Sequence, residues 1–421
     1  MRGRKTSLNE LAVFGGAPAF TEPLHVGRPN IGDRAALFAR LDAILDDRRL
    51  SNGGPFEQEL ERRVAERLDV RHCVLMCNGT VALEIASRAL ELTGEVIVPS
   101  LTFIATAHAL RWQGITPVFC DIDPATHNID PRCVERLITP RTTGLLGVHL
   151  WGRACATEAL EEIARPRRLK VLYDAAHAFG CTHHGRPIGG FGDLEVLSFH
   201  ATKVMNSFEG GAIVTNDDRL ARKARLMKNF GFTDYDEVGH LGINGKMSEM
   251  AAAMGLTSLE ALDGFIAANR RNYSRYRPQI SAIPGLQLMP HGEREHSNFQ
   301  YIVVEVDEAS AGVHRDELVR MLWAENVLAR RYFFPGCHRM EPYRGAPARG
   351  GVALPETERM VERLLVLPTG TAVGEDDIDE ICSLLRLVVE ESEGVRARLR
   401  DHPTAGAAAP DQGYLGPPTS S

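Results

Sequence analysis

Between residues 70 and 217, short apolar runs alternate with segments whose apolar residues recur at helical spacing. The apolar runs are HCVLMCNG, GEVIVPS, TPVFCDID, GLLGVHLWG, LKVLYDAAH, LEVLSFH and GAIVTND. Strands that alternate with helices form βαβ units, whose strands run parallel in one sheet. The pattern therefore predicts an α/β fold with a mostly parallel, seven-stranded sheet and helices on both faces.

The length of the chain indicates more than one domain, since 421 residues exceed what one compact core accommodates. We predict a large domain over residues 1–264, including an N-terminal segment, and a smaller α+β domain over residues 265–395. Within the large domain, residues 218–264 are predicted to be helical and polar-faced. Residues 396–421 are rich in Pro, Gly and Ala and are expected to form a disordered tail.

Charge and composition argue against several classes of protein. The formal net charge is -7, which disfavours non-specific binding to nucleic acid. We find no run of about 18 apolar residues, so no membrane span is expected, and the basic N-terminus lacks the apolar stretch of a signal peptide. The eight cysteines form no CxxC pair and match no zinc template. We therefore expect reduced thiols, no metal site and a cytoplasmic location.

Lys203 lies between the strand-like LEVLSF and the glycine pair Gly210–Gly211. A lysine at a buried strand end is costly unless it has a partner or a task. It is either a solvated loop lysine or a lysine that forms a Schiff base with pyridoxal phosphate (PLP). Residues at the other strand ends bear on this choice.

Three further side chains follow predicted strands. Asp174 suits pairing with the protonated pyridine nitrogen of PLP, or else caps a helix. Phe103 suits stacking on the pyridine ring, or else packs in the core. His177 is either a neighbour of the ring hydroxyl or a core histidine.

The turn Asn78–Thr80 follows the first strand and opens a helix. Gly79 permits close approach and Thr80 offers a hydroxyl, which suits a phosphate at the helix N-terminus, although a plain capped turn has the same sequence. The hydroxyl of Ser198, five residues before Lys203, suits the same phosphate. A phosphate cradle, a ring stacker, a pyridinium partner and a Schiff-base lysine thus follow four strands of one sheet, which indicates one PLP site.

The motifs CNGTVALEIA, VIVPSLTFIATAHAL, PVFCDID, YDAAHAFG, SFHATKVMNSFEGGAIVTND and GINGKMSEMAAAMG resemble those of the DegT/StrS-type sugar aminotransferases over about residues 20–395. These enzymes have the PLP-dependent transferase fold type I, which is aspartate aminotransferase-like. The resemblance therefore implies that fold, PLP as the cofactor, and amino transfer. One branch of the family has histidine in place of the lysine and removes a sugar hydroxyl, so Lys203 favours amino transfer over dehydration.

The resemblance assigns roles to the residues at the strand ends. Lys203 forms the Schiff base, and Asp174 pairs with the pyridine nitrogen. The phosphate is bound by Gly79, Thr80 and Ser198. The ring stacks on Phe103, and its oxygen is contacted by His177.

Asn244 matches an asparagine that reaches the phosphate of the partner subunit, which implies a homodimer with active sites at the interface. The family often has NYRM where this chain has NGKM. Lysine and arginine are not equivalent hydrogen-bond donors. The change from NYRM to NGKM therefore leaves open how the neighbouring subunit contacts the substrate.

The segments VGRPNIGDR, SFHATKVMNSFEGG and NVLARRYFFPGCHRMEPY look most like one subgroup of the family. Its members aminate C4 of dTDP-4-keto-6-deoxy-D-glucose with L-glutamate as donor. Their product, dTDP-4-amino-4,6-dideoxy-D-glucose, serves deoxyaminosugar biosynthesis for surface polysaccharides or for natural-product glycosides such as antibiotics. The alternatives are an aminotransferase for 3-keto or UDP-linked sugars, a PLP-dependent sugar dehydratase, and a non-catalytic regulator.

Substrate contacts are expected from loops between the domains and across the dimer, because a nucleotide sugar is large and anionic. The candidates are Asn52, with Gly53 beside it, and Arg331, Tyr332 and His338 in the second domain. The alternative for each is an ordinary loop or surface position.

Overall fold

The computed structural model describes residues 4–292, 295–345 and 353–401. The α-helices within these residues are α1 (Arg34–Asp47), α2 (Pro55–Leu68), α3 (Gly79–Ala89), α4 (Ala105–Arg111), α5 (Pro131–Leu137), α6 (Thr157–Ala164), α7 (Asp218–Met227), α8 (Glu249–Glu260), α9 (Leu262–Ser281), α10 (Glu308–Ala311), α11 (Arg315–Ala324), α12 (Pro355–Arg363), α13 (Glu375–Glu390) and α14 (Ser392–Asp401). The strands are β1 (Leu24–His25), β2 (His72–Met76), β3 (Glu95–Pro99), β4 (Thr116–Cys120), β5 (Thr142–Val148), β6 (Lys170–Asp174), β7 (Thr182–His183), β8 (Arg186–Pro187), β9 (Leu194–Ser198), β10 (Gly211–Thr215), β11 (Phe232–Asp234), β12 (Glu237–Val238), β13 (Leu286–Leu288), β14 (Ile302–Val306), β15 (Val327–Leu328) and β16 (Leu364–Leu367).

The central sheet has seven strands in the order β2-β10-β9-β6-β5-β3-β4. Only β10 in this sheet runs antiparallel to its neighbours, β2 and β9. The predicted mostly parallel, seven-stranded sheet is confirmed, and each of its strands coincides with one of the seven apolar runs of the sequence, although β5 begins two residues before its run.

Both faces of the sheet are buried, which explains why its strands are apolar throughout rather than alternating. Successive side chains of a strand point to opposite faces. In β6, Val171 and Tyr173 enter one hydrophobic core, and Leu172 enters the other. Helix starts are fixed locally; the side chains of Asp33 and Asp217 accept backbone N–H groups at the beginnings of α1 and α7.

The smaller domain is a three-stranded antiparallel sheet, β13-β14-β16, with its own hydrophobic core. The long helix α9 connects the two domains. Its first turns, at Leu262 and Phe265, pack into a core of the large domain, and Tyr276 and Ile280 pack into the core of the small one. The predicted boundary at 264/265 therefore falls inside a continuous helix.

The first part of the N-terminal segment, residues 8–25, packs on the small domain, contrary to the predicted boundaries, whereas α1 packs on α8 of the large domain. Leu8 and Leu11 pack in the small-domain core, and β1 pairs in parallel with β15. The buried carboxylate of Glu325 accepts the backbone N–H groups of Ala12 and Ala19, each at 2.7 Å. Hydrophobic burial and this carboxylate thus attach the segment to the small domain.

Two other sequence predictions need correction. Residues 218–264 are not helical throughout, because the β11–β12 hairpin lies between α7 and α8, and α8 is mostly buried rather than polar-faced. The predicted tail, 396–421, starts too early, since α14 extends to Asp401 with Leu399 packed in the small-domain core. Residues 402–421 lie outside the described residues.

All eight cysteines are free, as the scattered spacing predicts. Within the described part of the chain, no single helix is long and apolar enough to cross a membrane; α8 and α9 pass that test only when taken together across a 57° bend.

Candidate active site

The predicted site residues follow strands whose carboxyl ends meet at one edge of the central sheet. Asp174 ends β6 and Ser198 ends β9, and these two strands are parallel neighbours. Ligands of open α/β sheets bind outside this edge. The topology therefore brings together residues that lie far apart in the sequence.

Asp174 is a buried carboxylate held by two hydrogen bonds. The hydroxyl of Thr106 donates to it at 2.9 Å, and the backbone N–H of Ala176 donates at 3.1 Å. Burial raises the pKa of Asp174, and these hydrogen bonds and the nearby Lys203 oppose the increase. A cation placed against this carboxylate would stabilise its charged form.

Lys203 presents a desolvated amine to the same space. Its Nζ donates a hydrogen bond to the hydroxyl of Tyr301 at 3.3 Å. Burial lowers the pKa of Lys203 to about 8, and the charge of Asp174 acts in the opposite direction. A substantial fraction of this amine is therefore neutral near physiological pH, which nucleophilic and general-base chemistry requires.

The N-terminus of α3 forms a cradle beside Ser198. A Cβ added to Gly79 would lie 3.2 Å from the Cβ of Ser198, so the two residues are in close contact. A Cβ on Gly211 would lie 2.7 Å from the Gly79 nitrogen, which explains the glycine at the start of β10. Thr80 is exposed at the same helix terminus. Together with the helix dipole, these backbone and hydroxyl groups suit a phosphate.

His177 is a neutral, oriented imidazole. The backbone N–H of Trp151 donates to its Nδ1 at 3.3 Å, so the ring proton lies on Nε2. Burial holds the pKa of His177 well below its ordinary value. The ring packs 4.4 Å from that of Tyr301, centroid to centroid, and its Nε2–H is available as a donor to an oxygen.

Phe103 is 58% exposed, which rules out the core role that the sequence left open. Its ring lies 6.2 Å from that of Phe333, tilted by 57°. An exposed aromatic ring at the carboxyl edge of the sheet is available for stacking on a flat ligand.

These groups fit PLP. The buried carboxylate suits the pyridinium nitrogen, the amine suits the aldehyde carbon, and the α3 cradle suits the phosphate. Phe103 supplies a stacking surface and His177 a donor for the ring oxygen.

Sequence reasoning missed four residues of the site: Tyr301, Thr106, Trp151 and Phe333. The ring of Phe333 stacks on that of Trp151 at 5.5 Å with an 8° interplanar angle, beside His177. Trp151 has a left-handed φ of 59°, which is strained for a non-glycine residue. Residues with such strained backbones are often found at functional sites. Thr106 follows Phe103 by three residues, so the motif around Phe103 could have indicated it. Tyr301 and Phe333 come from the small domain, and no local pattern marks them.

The predicted substrate contacts fall into two groups. Tyr332 stacks on Phe333 at 4.9 Å and thus lies next to the site. Nδ1 of His338 hydrogen-bonds the hydroxyl of Ser100 at 2.6 Å, just beyond β3, which attaches this loop to the large domain. By contrast, Arg331 is engaged within the small domain, where it pairs with Asp316 at 3.2 Å.

Asn52 and Asn244 are both exposed, and the structure brings neither of them into the cluster around Lys203. Asn52 has a left-handed φ of 65° in the turn before α2. The carbonyl that follows Asn244, that of Gly245, accepts the backbone N–H of Cys77 at 2.8 Å, beside the phosphate cradle. A Cβ on Gly245 would lie 3.0 Å from Ile85 and Val81, so a tyrosine does not fit here without movement.

The sequence matches the DegT/DnrJ/EryC1/StrS aminotransferase family over residues 33–386. The chain belongs to this family. The aminotransferase is 40% identical to the dTDP-4-amino-4,6-dideoxy-D-glucose transaminase of Shigella dysenteriae, across 87% of this chain and 99% of that protein. It is 35% identical to the GDP-perosamine synthase of Caulobacter vibrioides, across 82% and 93% of the two chains.

Among solved structures, the aminotransferase resembles DesI, crystallised in the presence of its TDP-sugar product. The TM-score is 0.91 and the identity 53%, across 94% of this chain and 100% of that one. The resemblance inferred from the motifs is confirmed, as are fold type I and amino transfer with PLP as cofactor.

The pKa of Lys203 predicts a pH-dependent reactivity in the cofactor-free aminotransferase. Acylation of Lys203 should rise with pH through about 8, because the amine is protonated and unreactive below its pKa. In the Asp174→Asn variant, the curve of acylation against pH should shift to lower pH. The carboxylate of Asp174 stabilises the protonated amine, and its removal lowers the pKa of Lys203. Mass spectrometry of the peptide that contains Lys203 gives the extent of acylation at each pH.

Asp218→Asn is the matched control, because this carboxylate is exposed and lies after β10, at the opposite edge of the sheet. Its curve should coincide with that of the unmodified chain. Coincidence of the Asp174→Asn curve with both would contradict the interaction of Asp174 with Lys203.

Proposed function

We propose that the enzyme converts dTDP-4-keto-6-deoxy-D-glucose to dTDP-4-amino-4,6-dideoxy-D-glucose, with L-glutamate as amino donor, in deoxyaminosugar biosynthesis. The observation that carries the reaction type is the amine of Lys203 beside the buried Asp174 at the carboxyl edge of the sheet. The substrate follows from the relatives, which include DesI with its TDP-sugar product and a transaminase named for this sugar.

Bound PLP supplies an electron sink for the carbanion that forms when a proton leaves the substrate carbon. Asp174 keeps the pyridine nitrogen protonated, because an anion in a desolvated site favours a cationic partner. Thr106 and the Ala176 N–H orient that carboxylate and keep it ionised. The function of the three groups together is to preserve the electron-withdrawing form of the ring.

Lys203 moves the protons. With PLP bound, its neutral amine would take the Cα proton of glutamate in the first half-reaction. In the second half-reaction the same amine would supply the proton that C4 of the sugar gains. Tyr301, which accepts a hydrogen bond from Nζ, would hold the amine in place for both transfers.

The remaining groups hold the cofactor in place. Gly79, Thr80 and Ser198 bind its phosphate at the N-terminus of α3, and the Nε2–H of His177 donates to its ring oxygen. Phe103 would stack on the ring, and Tyr332, which stacks on Phe333 beside the site, would contact the keto-sugar. Asn52, Arg331 and His338 stay predictions as substrate contacts, and the contacts of Arg331 and His338 within the chain support structural roles for these two.

We propose further that the active form is a cytoplasmic homodimer. The segment between α7 and α8 exposes a run of large apolar side chains, which in a folded protein marks an interaction surface. They are Phe230, Phe232, Tyr235, Val238, Leu241 and Ile243, each at least 40% exposed. Asn244 follows this run directly, so a partner seated on the surface comes close to it. Eight free thiols are consistent with a reducing compartment.

Incubation of the purified enzyme with PLP, L-glutamate and dTDP-4-keto-6-deoxyglucose should yield a product with an equatorial amine at C4, identified by NMR. Lys203→Ala should lower turnover by at least about 100-fold, because it removes the proton carrier. Lys223→Ala, which changes a part-buried lysine of α7 paired with the exposed Glu91, should leave turnover unchanged. Normal turnover by Lys203→Ala would exclude the mechanism.

The same assay separates the alternatives. Conversion of the cofactor by glutamate without any sugar product would retain the aminotransferase and indicate a 3-keto, UDP-linked or GDP-linked sugar; the GDP-perosamine synthases among the relatives make the last of these a specific candidate. A deoxygenated product without nitrogen would indicate dehydration.

Subunit mixing tests the role of Asn244 in trans. Lys203→Ala and Asn244→Ala homodimers should both be weak at limiting PLP. A mixed dimer should contain one complete site, with Lys203 from one chain and Asn244 from the other. Random exchange should therefore restore about a quarter of the native activity, since half of the dimers are mixed. No recovery, with mixed dimers verified by differently tagged chains, would place Asn244 in the site of its own chain.

A further inference from the structure

We propose that Glu158, His183 and His184 form a surface site for zinc or a similar late first-row divalent metal ion, away from the PLP site. Glu158 lies in the first turn of α6, and the two histidines lie at the tip of the β7–β8 hairpin. One ligand atom from each of the three residues lies within 4.8 Å of the other two.

The distances are close to those of a metal site. Nε2 of His183 lies 3.2 Å from one carboxylate oxygen of Glu158, and Nε2 of His184 lies 3.8 Å from the other. Ligands bonded at about 2.0–2.1 Å in a tetrahedron are separated by roughly 3.3–3.5 Å. The side chains of Glu158 and His184 are 60% and 69% exposed and so have room to adjust around His183, which is only 14% exposed.

The hairpin turn fixes the two imidazoles next to each other. His184 and Gly185 have φ values of 50° and 73°, as in a two-residue turn with both central residues left-handed. The two imidazole rings are 4.1 Å apart, centroid to centroid. Glu295 secures the turn, since its carboxylate accepts the backbone N–H of His184 at 2.7 Å and the hydroxyl of Thr182 at 2.8 Å.

The third ligand is an ionised carboxylate. The hydroxyl of Thr157 donates a hydrogen bond to Oε2 of Glu158 at 3.1 Å, which orients the carboxylate. Its place in the first turn of a helix favours the anion as well. His183 is held on its other side by the ring of Phe191, at 5.4 Å, so two of the three ligands are already oriented.

The donor set identifies the class of metal. Two imidazoles and one carboxylate suit zinc, copper or nickel better than magnesium or calcium, which prefer oxygen ligands. Because the site is on the surface, water completes the coordination. A bound ion would connect α6 to the hairpin that follows the His177 segment. Templates of sequence spacing did not reveal the site, since Glu158 precedes His183 by 25 residues.

Isothermal titration calorimetry of the tag-free holoenzyme with zinc chloride should detect one zinc site per chain, formed by Glu158, His183 and His184. Glu158→Gln, His183→Ala and His184→Asn should each weaken binding by at least about tenfold. Asparagine tolerates the left-handed backbone at 184, so this variant keeps the turn. The matched control is His72→Gln, which changes a histidine paired with Asp218 at 2.7 Å without a second imidazole nearby, and should bind zinc as the unmodified chain does.

A second measurement needs no variant. Diethylpyrocarbonate should modify His183 and His184 in the metal-free protein, and zinc should protect both, with His72 reacting equally in either condition. Absence of zinc binding, unchanged affinity in the three site variants, or equal modification of His183 and His184 with and without zinc would overturn the proposal. None of these outcomes depends on the sugar substrate or on turnover.

Discussion

The proposed active site depends on two oppositely charged groups, Asp174 and Lys203, that are desolvated in the same space. Each is costly to bury alone, and burial shifts the pKa of each toward its neutral form. The shift gives Lys203 a usable fraction of free amine, and a cation placed beside Asp174 would restore the charged form of its carboxylate. The parallel sheet makes this possible, because its carboxyl edge brings strand ends together under a cover of packed side chains.

The small domain completes that cover. Tyr301 at the start of its central strand contacts Lys203, and Phe333 from the loop after β15 stacks on Trp151. His338 fastens the same loop to Ser100. The site is therefore a product of both domains, and the apolar packing between them sets the polarity around the amine. The N-terminal segment strengthens the small domain through Glu325 rather than extending the large one.

Much of the fold, and the grouping of the candidate cofactor-binding residues at one edge of the sheet, was predictable from the sequence, because strand ends are local features. Lys203, Asp174, Ser198 and Gly79 each follow an apolar run, and the sheet topology alone brings them to one edge. Tyr301 and Phe333 were not predictable, since their positions depend on how one domain packs on the other. Arg331 was predicted to contact the anionic substrate, but it forms an ion pair with Asp316, which the sequence alone does not reveal.

The proposed role of Asp174 is to keep the cofactor ring protonated, and the nitrogen chemical shift of ¹⁵N-labelled PLP bound to the enzyme reports that protonation. We expect the shift of a protonated pyridine nitrogen throughout the pH range in which the protein is folded. In Asp174→Asn we expect an unprotonated nitrogen at neutral pH. A shift typical of an unprotonated nitrogen in the unmodified enzyme would contradict this role of Asp174.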